Sequence, residues 1–180
     1  IQRGCLMKFR KRYQFLLIAV ILFLLDFGLT WYYINYTSYV QEGNPLFAID
    51  GGYLSLFVNL MYAVAVFMIG YKIERFQTIV IGAHNSYDYF KKLWKSQRTD
   101  FIIISFLSAF VFASFISRIS VIIDWIIYGI FQSNFYSTGY AKIREQMPFG
   151  RYDLVIGLLS FWLFVALWYT TEYKKSKKLL

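Results

Sequence analysis

The sequence predicts an all-α fold in which four helices cross a membrane, on three observations: its apolar content, the length of its apolar runs and the placement of its basic residues. Of the 180 residues, 58% are hydrophobic and only 16% charged, whereas a soluble domain keeps about a quarter of its residues charged. Four runs approach or exceed the ~20 helical residues that a hydrocarbon core requires. Fifteen of the nineteen Lys and Arg residues lie before residue 13, between 72 and 98, or after 173, with apolar runs between these places. That is the pattern of a polytopic protein whose basic loops stay in the cytoplasm.

The first span is expected over about 13–36. Arg3, Lys8, Arg10, Lys11 and Arg12 precede it, and Trp31, Tyr32, Tyr33 and Tyr36 sit at its far end, where amphipathic rings favour the headgroup zone. The second span covers about 53–73 and is followed by Lys72 and Arg75. The third, about 101–131, is longer than a perpendicular crossing needs, so it tilts or emerges from the bilayer. The fourth, about 152–170, ends in Trp168 and Tyr169 before Lys174, Lys175, Lys177 and Lys178. An even number of crossings puts both termini on one side, and the charges place that side in the cytoplasm of a cell membrane. No signal-peptide cleavage pattern is read, because the first apolar run is too long and no small-residue site follows it.

Between the second and third spans, about 77–98, Ala83, Tyr87, Phe90 and Trp94 recur at helical spacing among Lys91, Lys92 and Lys95. The pattern reads as a short amphipathic helix in the inner interface, its lysines toward anionic lipids, or as an extension of a neighbouring span. The whole chain forms a single membrane domain, 1–180.

Net charge +9 and a pI near 9.6 are also what a nucleic-acid-binding protein shows. Here the basic residues flank apolar runs instead of lining one soluble face, so no nucleic-acid partner is expected; lipid is. Cys5 is the single cysteine and His84 the single histidine, which leaves no internal disulfide, multi-histidine metal site or haem site to build. No Gly-x-Ser-x-Gly and no phosphate-binding glycine loop occurs. No cofactor and no resident metal are expected.

The polar residues inside the spans are the candidates for function. At 1.5 Å per residue, Asp26 lies about 20 Å from the start of the first span, Arg118 about 26 Å from the start of the third, and Asn59 about 9 Å from the opposite entrance of the second. All three fall in the outer half of the bilayer, with Asp124 near or beyond its boundary. A charge at mid-membrane costs about 2.5–3.5 kcal/mol and should face a partner or water. An Asp26–Arg118 pair with Asn59 alongside would satisfy all three groups, either as a staple of the bundle or as a site. Arg118 could also snorkel to the surface. On the third span Ser105, Ala109, Ala113 and Ser117 repeat every fourth residue, a strip that lets another helix approach closely, within the bundle or between copies. In the first outer loop, Glu42, Asn44 and Asp50 accompany Asn-Pro and Gly-Gly turn signals. The ordinary reading is a tight re-entry; the other is the mouth of a cavity holding Asp26, with oxygens that could attract a cation.

Asp26 with Thr30, and Glu42-Gly43-Asn44-Pro45, match an Asp-x-x-x-Thr and a Glu-x-Asn-Pro pattern. Over roughly residues 20–75 the chain resembles a family of small uncharacterised prokaryotic multi-pass membrane proteins with those patterns. The resemblance implies a compact helical bundle and no known reaction.

Three functions fit these residues. The first is a non-enzymatic accessory or partner-binding subunit, its partner another membrane protein or a second copy. The second is a transporter or channel component using Asp26, Asn59 and Arg118. The third is an enzyme acting on a lipid at the outer leaflet, with Arg118 on a phosphate.

Overall fold

A backbone immersed in hydrocarbon must satisfy its own hydrogen bonds, and within a single run of chain only a helix does so. In a computed structural model the four apolar runs are helices: α1 (Lys11–Tyr36), α2 (Tyr53–Arg75), α4 (Thr99–Ile130) and α5 (Tyr152–Leu179). Each is long and apolar enough to cross a membrane, and the chain is a multi-pass membrane protein. A fifth helix, α3 (Ser86–Lys95), precedes α4. The structure describes residues 10–36, 52–130, 142–143, 145–147 and 152–180, without the side chains at 128 and 130. Glu42, Asn44 and Asp50 lie outside the described residues.

Helix α4 is the hub, packed on α1, α2 and α5. Its small-residue strip explains the fit to α5. Ser105, Ala109 and Ala113 are buried, and a Cβ on Gly157 of α5 would stand 3.4 Å from that of Ser117. The strip therefore serves an intramolecular contact, flanked by the stacked pairs Phe106–Phe161 and Phe112–Phe164. Close approach also fixes α1 against α2, where a Cβ on Gly70 would come within 2.7 Å of the Arg12 Cα. Glu74 holds the same junction by accepting the Arg12 backbone N–H at 2.9 Å. An apolar core of Phe15, Ala19, Leu22, Val66, Ile69, Ile73, Ile104, Val111 and Phe115 fills the space between α1, α2 and α4.

The segment between α2 and α4 differs from the sequence expectation in two ways. Residues 76–83 are not helical; the β-branched run Thr78-Ile79-Val80-Ile81 and then Gly82 lower helix propensity there. The helix begins only where Asn85 caps it, its side chain accepting the Asp88 N–H at 2.8 Å. The buried stripe is also offset from the Ala83–Tyr87–Phe90–Trp94 pattern. Tyr89 and Leu93 are fully enclosed, while Tyr87 and Trp94 are exposed. A turn through Gln97, with its left-handed φ of 51°, then leads into α4. At the other end of the chain, α5 continues past residue 170 to Leu179, because its last turns are packed under this segment.

Candidate functional site

Two polar clusters lie at different heights in the bundle. The first is the layer the sequence marks in the spans. Arg118 Nη2 donates to Asn59 Oδ1 at 2.6 Å, and the guanidinium lies 5.5 Å from the ring centroid of Tyr62, whose hydroxyl is bonded to Ser114. Asn59 in turn donates to the Ser55 carbonyl at 2.8 Å. A cation in hydrocarbon is thus held by a dipole and a ring face. Arg118 Nη1 is buried and has no hydrogen-bond partner among the described residues.

Helix register brings carboxylates to the same height. Tyr33 stacks on Trp125, centroids 5.4 Å apart, and crowds Gly129; seven residues back along the parallel α1 and α4, Asp26 comes level with residues 118–122. Gly157 meets Ser117 and Ala113, and four residues nearer the start of α5 is Asp153, buried at about the same height. Asp124 stands one to two turns beyond Arg118. Asp26, Asp124 and Asp153 each have an interaction partner, and Arg118 takes Asn59 and Tyr62 as its own contacts. Asp153 was missed by sequence reasoning. Its signal was a lone acid in the first turn of a helix, a position usually explained by the helix dipole.

The second cluster was not foreseen. At the basic end of the bundle, segment 76–85 lies across the last turns of α5 and takes its backbone bonds from side chains. Ser176, fully buried, accepts the Ile81 N–H at 3.0 Å and donates to the Ile81 carbonyl at 3.3 Å. Tyr89 donates to the Ile79 carbonyl, Tyr173 to that of His84 and Lys92 to that of Gly82. Glu172, 1% exposed, accepts from the Thr78 hydroxyl at 2.8 Å and from Lys175 Nζ at 2.6 Å. A carboxylate without water needs such donors. The ring of Phe90 meets Tyr169 edge-on, and Phe101 packs between Tyr89 and Tyr169. Burial, and then the charge of Glu172, pushes the Tyr89 hydroxyl up to about 12. On the exposed side of α3, the His84 N–H and then the Lys92 ammonium hold Asp88 below the ordinary carboxylate range.

One sequence signal for this cluster existed. Tyr169, Glu172, Tyr173 and Ser176 share one face at i, i+3, i+4 and i+7, in a stretch whose other residues are mainly basic. Together these groups make a cap fixed to the bundle. Two open grooves lie beside it. One, about 400 Å³, runs between α2 and α4; the other, about 330 Å³, separates α3 from α5 and is lined mainly by apolar side chains. Among the described residues no three His, Cys, Asp or Glu side chains are placed to hold a metal. No known family model, curated protein or solved structure matches the chain.

Proposed function

We propose that this multi-pass membrane protein is a non-enzymatic accessory subunit that binds another membrane protein through its cap, with the basic end and both termini in the cytoplasm. The observation that carries the reading is the stitching of segment 76–85 to α5. A loop that merely joins two spans needs neither a buried Ser176 on its backbone nor a buried Glu172 on its Thr78 hydroxyl. A fixed loop, however, presents its outer groups in one arrangement, and pre-organisation of this kind favours association. Those outer groups are Tyr87, Lys91, Trp94 and Lys95, all exposed. The partner they fit has carboxylates for the lysines and an apolar recess for the rings.

The core counts against the transport reading. Phe15, Leu22, Val66, Ile69, Val111 and Phe115 pack between the Arg118 layer and the basic end, where a polar route would have to pass. Arg118 and Asn59 then act as a clamp joining α4 to α2. Extraction in mild detergent tests the proposal. The expected result is a particle larger than one chain that contains a second, defined membrane protein, and is lost on Lys91→Glu/Lys95→Glu. A strictly monomeric particle after gentle extraction overturns it.

A further inference from the structure

The groove between α2 and α4 has a charged mouth and an apolar floor, and its charged residues Lys72, Arg75 and Asp100 take no part in the core or in the cap. Lys72 and Arg75 stand three residues apart in the last turn of α2, on one face. The Arg75 guanidinium lies 4.3 Å from the ring centroid of Tyr71, which steadies it against the wall. Across the groove stands Asp100, in the first turn of α4. Below it Ile103 and Ile104 continue the lining about 5 Å further along the helix, toward the middle of the span. Among the described residues neither Lys72 nor Arg75 is ion-paired; the described pairs are Arg12–Glu74, Lys92–Asp88 and Lys175–Glu172. The volume of about 400 Å³ falls in the range of roughly 300–1,000 Å³ that holds small molecules.

We infer that this groove is a binding site for one phospholipid. The headgroup phosphate sits on Lys72 and Arg75, an acyl chain lies along Ile103 and Ile104, and Asp100 accepts a hydrogen bond from the tip of the headgroup. Cations beside the ends of spans attract phosphate headgroups, and a planar guanidinium can engage two phosphate oxygens at once. Asp100 adds selectivity. It repels a second negative charge and requires a donor, such as a primary ammonium or a hydroxyl, which a trimethylated choline lacks. The site depends on the helices lying in a bilayer and not on the partner proposed for the cap.

Native mass spectrometry of the detergent-purified full chain tests this, with phosphatidylethanolamine, phosphatidylglycerol and phosphatidylcholine supplied in equal amounts. The expected spectrum shows one retained lipid, phosphatidylethanolamine or phosphatidylglycerol in preference to phosphatidylcholine. Lys72→Ala/Arg75→Ala should weaken retention about 30-fold, each removed cation contributing about fivefold. Ile103→Trp, which fills the floor and leaves every charge in place, should also abolish retention. Lys177→Ala/Lys178→Ala removes the same charge from the end of α5, outside the groove and the docking surface of the cap, and should leave it intact. Equal losses in the two double variants would reduce the effect to general charge attraction and overturn the site. Full retention in Ile103→Trp, or retention of phosphatidylcholine as well as the others, would overturn it too.

Discussion

Replacing Ser176 with Ala removes one oxygen from the cap and leaves the shape of α5 unchanged. The side chain is fully buried, and its hydroxyl meets both backbone groups of Ile81, the N–H at 3.0 Å and the carbonyl at 3.3 Å. A buried backbone group deprived of its partner costs about 1–3 kcal/mol. The N–H bond is the shorter of the two and the carbonyl bond is long, so the pair amounts to about 2–4 kcal/mol. Local opening of segment 78–83 should become about a hundredfold more frequent, since 1.4 kcal/mol is a factor of ten. Hydrogen exchange followed by mass spectrometry in detergent reads those amides directly. Thr171→Ala is the matched control. Its hydroxyl bonds only the Leu167 carbonyl one turn back on its own exposed face, and such changes usually stay within about 0.5 kcal/mol. Unchanged exchange at 78–83 in Ser176→Ala, or equal acceleration in Thr171→Ala, would refute the claim that α5 side chains hold this segment.

Three further outcomes follow from other contacts. In a double-mutant cycle of Asn59→Leu and Arg118→Leu, melting in detergent should give a coupling of about 1–2 kcal/mol; additive effects would mean the bond joins nothing. Gly70→Ala should lower stability by about 1 kcal/mol, because the clash with the Arg12 backbone, about 1–3 kcal/mol, outweighs an improvement of about 1 kcal/mol in helix propensity. A higher melting temperature would contradict that packing. The Tyr89 hydroxyl is raised to about 12 from an ordinary value near 10, so the folded state holds its proton more tightly than the unfolded one. Its contribution is complete below about pH 10 and disappears as pH rises through 12. Tyr89→Phe should therefore flatten the fall in stability across that window, and an unaltered alkaline profile would count against it.

The spans were readable because the thickness of hydrocarbon sets their length, and apolar runs of that size have few other uses. The strip from Ser105 to Ser117 was readable for a similar reason, since a four-residue repeat of small side chains has a direct packing meaning. The α5 helix was the partner the sequence could not choose. Depth along a helix placed Asn59 and Arg118 at one height, but their meeting also depends on rotation about each axis, which composition leaves open. The cap was hidden for a different reason. A segment outside the helices is recognised by its backbone partners, and here the backbone groups of Ile79, Ile81 and Gly82 have side chains of α3 and α5 in that role. In the sequence Glu172 is one acid beside Lys174, Lys175, Lys177 and Lys178, and only the folded chain shows it buried, with the Thr78 hydroxyl and Lys175 as its donors.

The most direct measurement for the account as a whole places a photo-crosslinking side chain at Tyr87, 71% exposed on the cap, in intact membranes. One discrete protein adduct is expected, repeated from Trp94 and absent from Leu158, which is exposed on the side of α5. Ser176→Ala should weaken the adduct by loosening the surface that presents these groups. Lipid adducts alone from Tyr87 and Trp94, or the same adduct from Leu158, would contradict a cap built to dock another protein.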